Sequence, residues 1–218
     1  MHFRLRACNY AGVLKTITDH SLIRAARQLA ATDSDLGWIL QNFGPPPLWA
    51  RDAGFATLVH IILEQQVSLA SARAAFERLR QAVALSPASF LTLSDAELKA
   101  IGFSRQKTRY CRLLAQALLD GQLDLEAVPA MNDDAARTAL KQVTGIGDWT
   151  ADIYLLMALR RPDVWPQGDL ALAVAMQRLK KLPARPSPDE LAAMAESWKP
   201  WRAVAARMLW HYYLSART

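Results

Sequence analysis

LKQVTGIGDWTADIYLLMALRRPDVWPQGDL, residues Leu140 to Leu170, sets Gly145 and Gly147 around one apolar residue, Ile146, between two helical patterns. Glycine tolerates positive φ, so the chain can reverse tightly here while Ile146 anchors the turn. The helix that follows, from near Asp148, opens with unpaired N–H groups and the positive end of its dipole. A phosphate can sit there without any cationic side chain. A bare glycine–x–glycine is equally what a plain helix–turn–helix connection looks like. The same segment ends in a single carboxylate, Asp169, behind Pro166 and Gly168 and ahead of an apolar helix. That is an N-cap position, and a lone carboxylate is also what stabilises a cation developing on a sugar.

Outward from this segment the pattern is helical almost throughout. Leu22, Ala25, Ala26 and Leu29 have helical spacing, with Asp19 or Ser21 as the expected cap. NFGPPPLW at Asn42 to Trp49 breaks the pattern with successive prolines. Phe55 to Leu63 is an apolar helical run, and Ser68 caps a helix striped with Ala72, Phe76, Leu79 and Val83. Ser94 opens a capping box with Glu97, and Gly102 closes that helix. Thr108 to Leu119, Asp133 to Val143, Trp149 to Leu159, Leu170 to Leu179, Glu190 to Ser197 and Arg202 to Leu214 complete the set. No strand pattern or solenoid repeat is present, so the expected fold class is all-α.

The 218 residues suffice for one large domain or two small lobes, and the net charge of +6 favours a polyanionic partner. Cys8 and Cys111 are too few for a disulfide framework or an iron–sulfur cluster. His2, His20, His60 and His211 lack ligand spacing for zinc. With no apolar run of membrane length and no signal-peptide core, an intracellular, cytoplasmic protein is expected.

Four ordered blocks carry a resemblance: GFATLVHIILEQQVSLASA at Gly54 to Ala72, GFSRQKTRY at Gly102 to Tyr110, the opening segment, and WKPWRAVAARMLWHYY at Trp198 to Tyr213. Together they resemble the helix–hairpin–helix DNA glycosylase superfamily, in particular its alkylated-base branch, the DNA-3-methyladenine glycosylase II type. The resemblance runs from about Phe55 to the C-terminus. It implies a two-lobed fold with the active site in the cleft between lobes. Residues 55–160 would form the central lobe, with the hairpin near 135–160, and 1–54 with 161–218 the terminal lobe. Some members carry a β-rich N-terminal domain; the short helical stretch before GFATLVH implies a version lacking it.

Residue by residue, the resemblance makes Asp169 the catalytic carboxylate and Trp149 and Trp210 walls of the base pocket. The family's further pocket aromatic falls nearest Ile153, with Tyr154 beside it, which implies an altered wall. Gln66 matches the wedge that fills the gap left by a flipped base, with Gln65 beside it. Gly145, Ile146, Gly147 and Thr150 would bind phosphate at the hairpin. Arg105 and Lys107, near a helix start, would do so from a second side, or else form a solvated face. Backbone carbonyls of Lys141, Val143 and Ile146 would hold a monovalent cation, Na+ or K+. No other cofactor is implied.

The function implied is base excision from double-stranded DNA by a monomer. Members that also cut the strand use a lysine just after the hairpin, where this chain has Trp149; Lys141 and Lys180 match neither position. The expected enzyme is therefore monofunctional and leaves the strand intact. An alkylated purine already carries positive charge and departs without a strong general acid, in keeping with one carboxylate. Deaminated or mismatched bases are the alternative substrates, and a damage-binding module without activity is the alternative class.

Overall fold

An apolar stripe repeated every three to four residues needs a partner surface, and nearly every stripe in this chain finds one in another helix. The computed structural model describes residues 16–216. Within them the helices run α1 Asp19–Thr32, α2 Ser34–Phe43, α3 Phe55–Glu64, α4 Leu69–Ala82, α5 Pro87–Thr92 and α6 Asp95–Ile101. They continue with α7 Arg105–Leu119, α8 Asp133–Lys141, α9 Asp148–Met157, α10 Leu170–Leu179, α11 Pro188–Ala195 and α12 Arg202–Ser215. Short 3-10 turns lie at Val128–Ala130 and Glu196–Trp198. No strand occurs among the described residues, and the all-α expectation holds.

Two packing groups emerge. In the first, α1, α2 and α10 pack on α12, and α11 leads into the 3-10 turn that also rests on α12. Residues Ala203 through Trp210 of α12 are all buried, which is what a helix at the centre of its group requires. In the second group α3 packs on α4, α7 and α9, while α8 pairs with α9 across the hairpin. Seven residues of α9 are buried, Thr150 through Leu156.

Two helices escaped the sequence reading. The chain passes from α1 to α2 through one residue, Asp33, which ends the first helix and caps the second through Asp35 N and Leu36 N. No glycine or proline announces that break. Helix α5 is six residues long, too short to show a period. The cap of α1 is Thr18, in a reciprocal pair with Ser21, rather than Asp19 or Ser21 alone. Helix α7 starts at Arg105 under a Ser104 cap, earlier than Thr108.

A buried side chain ties the two groups together. The guanidinium of Arg207, on α12, is fully buried and donates to the carbonyls of Leu48, Ala203 and Leu156 at 2.9, 3.0 and 2.7 Å. Burial pushes its pKa down to about 9, so it remains charged at neutral pH. Arg202 grips Asp163 through two nitrogens.

Candidate active site

The hairpin between α8 and α9 is shaped by one glycine. Gly145 has φ +103, and a Cβ added there would lie 2.3 Å from Cγ of Tyr110. The Tyr110 ring, from α7, thus packs directly against the backbone of the turn. Gly147 differs from the expectation of positive φ: it has φ −92 and ψ −175, ordinary extended backbone, and serves as N-cap of α9 without a side-chain bond. A Cβ there would meet open space. Gly147 is exposed ahead of the unpaired first-turn amides of α9, and Asp148, half-buried, is the acidic residue of that turn. Ile146 is buried beneath the turn, and its N–H donates to Val143 O.

Asp169 is 8 % exposed and is the N-cap of α10, its Oδ1 accepting from Leu172 N at 2.9 Å. Two tryptophans also grip it. Trp149 Nε1 donates to Oδ2 at 2.8 Å from α9, and Trp210 Nε1 donates to Oδ1 at 3.1 Å from α12. Three donors from three helices fix both oxygens, and the carboxylate stands where the two packing groups meet. This use of Trp149 and Trp210 was not legible in the sequence, which assigned their ring faces and not their N–H groups. Trp49 joins them. Half-buried at φ +48, it meets the Trp210 ring edge-on at 6.4 Å. No local pattern after the prolines brings it to Trp210.

The segment before Asp169 is held from α9. Pro166 to Asp169 forms a turn closed by Asp169 N donating to Pro166 O, with positive φ at Gly168. Gln167 N donates to Oδ2 of Asp152, whose Oδ1 accepts from Arg137 Nε at 2.8 Å. Asp152 is 2 % exposed. Burial raises its carboxyl above the usual carboxylate range, with Arg137 opposing the rise.

Other expected site residues are placed differently. Tyr154 is fully buried, and its hydroxyl accepts from Gly54 N at 3.0 Å, so it joins α9 to the start of α3 and cannot face a base. Ile153 is buried in the same core. Both lie on the side of α9 that faces protein. Gln65 is not beside the wedge in any free sense: its Nε2 donates to Gly145 O and to Thr150 Oγ1, at 3.0 and 2.9 Å. Thr150 is buried, and that bond takes up its hydroxyl. Lys107 donates to Leu63 O at the end of α3, and burial lowers its pKa. It terminates a helix and does not reach outward. Arg105 and Arg109 are exposed.

Gln66 is exposed at φ +57, a conformation costly for a residue with a side chain. Val67 and Leu69 beside it are exposed large hydrophobics, as is Leu170, next to Asp169. Sequence gave no warning of these three, because an apolar residue in a helical pattern reads as core. Lys141 pairs with Asp148 and Lys180 with Asp35. Neither lysine is directed at Asp169. Among the described residues no group of three or more His, Cys, Asp or Glu could hold a metal ion.

Known proteins share this architecture. The 3-methyladenine DNA glycosylase of Schizosaccharomyces pombe, solved with abasic DNA, superposes with a TM-score of 0.79 at 23 % identity, covering 89 % of this chain and 97 % of that one. At that identity the likeness shows the fold. A DNA-3-methyladenine glycosidase from Bacillus halodurans superposes with a TM-score of 0.74 at 28 % identity, covering 88 % and 90 %. In sequence, the chain is 26 % identical over 198 residues to DNA-3-methyladenine glycosylase 1 of Schizosaccharomyces pombe, covering 87 % of each. It is 27 % identical over 186 residues to YfjP of Bacillus subtilis, covering 81 % of this chain but only 65 % of that protein. Well over half of the chain, residues 59–202, matches the family described as HhH-GPD superfamily base excision DNA repair protein, and the chain belongs to that family.

Proposed function

We propose that the protein is a monofunctional DNA glycosylase that removes alkylated purines, of the 3-methyladenine and 7-methylguanine type, from duplex DNA. The observation that carries this reading is the Asp169 carboxylate, fixed by two indole N–H groups and a helix cap beside the open N-terminus of α9. The relatives named as 3-methyladenine glycosylases support the substrate class.

The chemistry follows from the charges. In an N3- or N7-alkylated purine nucleotide the base is cationic. Its C1′–N bond breaks with the electron pair leaving on nitrogen, so the base departs neutral and the positive charge passes to the sugar. Asp169, as an anion, stabilises that oxocarbenium character. Water then adds to C1′ and loses a proton, which Asp169 can accept. The product is an abasic site with the strand intact, since among the described residues no lysine amine bonds the carboxylate, from where it could trap the sugar. The half-buried Trp149 ring suits an electron-poor base through stacking.

The hairpin would take a phosphate on the amides of α9, with Gly147 leaving room. A monovalent cation on the carbonyls of Lys141, Val143 and Ile146 would bridge turn and phosphate. Val143 O already accepts the Ile146 N–H, and a carbonyl has a second lone pair to offer. Gln66, exposed and strained, is the residue that would enter the duplex, with Val67 and Leu69 adding apolar surface.

Base release from DNA carrying 3-methyladenine, 7-methylguanine, hypoxanthine or uracil tests the reading. The wild type should release the methylated purines. Asp169→Asn should lose release while still binding an abasic duplex. Full release by Asp169→Asn would overturn the carboxylate's role, and release of uracil or hypoxanthine alone would move the substrate class. Absence of release from every substrate by the wild type would favour a damage-binding module. Borohydride trapping of a covalent adduct would contradict the monofunctional reading.

A further inference from the structure

The face of α9 that bears Trp149 also bears Asp152 one turn later, and both side chains reach the segment that delivers Asp169. Trp149 bonds the carboxylate itself. Asp152 bonds the backbone two residues earlier, at Gln167, and is in turn gripped by Arg137 of α8. Between these two points lies only the Gln167–Gly168 turn, whose residues are exposed and without apolar packing of their own. Upstream, Trp165 and Pro166 are buried. The loop is thus firm up to Pro166, free at its tip, and firm again at Asp169. The turn's own bond from Asp169 N to Pro166 O closes the tip, and the Gln167 N–H bond to Asp152 is what holds it to the rest of the fold.

From this arrangement we infer that Asp152 is a positioning residue for the Asp169 carboxylate, acting through the Gln167 amide. The inference rests on the reading of Asp169 as the catalytic carboxylate. A carboxylate is needed at position 152 because both of its oxygens must accept, one from Arg137 and one from Gln167. Asparagine has a single acceptor oxygen. Its amide NH2 would face a donor on one side or the other, and one of the two bonds would be lost. Arginine 137 also pairs with Asp134, so it stays on α8 whichever way residue 152 is altered.

The turn supplies a cleaner test. Its hydrogen bond, with positive φ at Gly168 and not at Gln167, is that of a type II turn, in which proline is favoured at the second position. Gln167→Pro therefore suits the turn and removes the N–H that Asp152 accepts, its ring Cδ displacing the Asp152 carboxylate from the place of the lost hydrogen. In single-turnover excision of 7-methylguanine, Asp152→Asn and Gln167→Pro should each slow the chemical step about 10- to 100-fold, with affinity for an abasic duplex within about twofold of wild type. Because they break the same bond, the double variant should be little slower than either alone. Wild-type rates in Gln167→Pro would overturn the inference, as would losses in the two variants that multiply. A fall in DNA affinity matching the fall in rate would also overturn it, since that marks general loosening. Asp169→Asn run alongside separates the two readings. If it abolishes excision while Gln167→Pro does not slow it, the positioning role fails alone; if Asp169→Asn retains activity, the assignment of the carboxylate fails first.

Discussion

At Gly145 and Gly147 one residue type answers two demands. Gly145 is required by the protein itself, through its positive φ and the Tyr110 ring against it. Gly147 has neither constraint and opens instead onto space at the start of α9. The two should separate in experiment. Gly145→Ala should cost about 2 kcal/mol in urea denaturation, from a strained backbone and a displaced ring. Gly147→Ala should leave stability within about 0.5 kcal/mol of wild type. It should nevertheless weaken binding to an abasic duplex, because its methyl group occupies the approach to the α9 amides. Equal stability losses in both, or unchanged DNA affinity in Gly147→Ala, would contradict this division. The strain at Gln66 belongs to the same scale: the surrounding fold holds an exposed side chain in a conformation that it would not choose.

Among the elements, the joint between α1 and α2 shows how one side chain can serve several. Oδ1 of Asp33 caps α2, and its Oδ2 accepts from Trp198 Nε1 at 2.9 Å, beyond α11. Trp198 is buried and meets Trp165 at 5.7 Å, so this carboxylate connects the α1–α2 joint to the segment preceding Asp169. Asp33→Ala should lose about 2 kcal/mol, roughly half from the cap and half from an indole N–H left without its acceptor. The loss is read from the unfolding midpoint, and DNA affinity at low temperature should stay near wild type. The residue signals a cap no more strongly than Asp19 does, which is why the sequence shows the stripe of α1 and the proline break but not the helix between them. Helix α10 shows the converse. Its cap was evident from sequence, but the two indoles on the same carboxylate come from residues far along the chain.

Across the whole molecule, the buried guanidinium of Arg207 joins the helix at the centre of one packing group to the end of α9 in the other. Among the described residues its hydrogen-bond partners are three carbonyls, which disperse its charge. Arg207→Met should fill similar volume yet destabilise by about 3 kcal/mol, since it leaves the carbonyls of Leu48 and Leu156 without their donor. Denaturation followed by circular dichroism checks this, and a variant as stable as wild type would show that the bonds contribute nothing net. Because Trp210 lies one turn from Arg207 on α12, the variant should also lower the excision rate.

What the sequence determined by itself was everything carried by local period and local chemistry. Apolar spacing identified most helices, Gly145 marked the turn, and Asp169 stood out as a cap carboxylate between a proline–glycine stretch and an apolar helix. The four ordered blocks placed the chain in its family. Tertiary structure decided which side of each helix meets protein and which is left open. Tyr154, Thr150 and Lys107 carry chemistry suited to a site, yet they turn inward, because buried polar groups need partners wherever they lie, and Ile153 turns inward as apolar core. Trp49, Leu170 and Asp152 gave no local sign, since their surroundings are built from segments distant in the chain. Spacing along a helix fixes which residues share a face; only the packing of the other helices determines what that face meets.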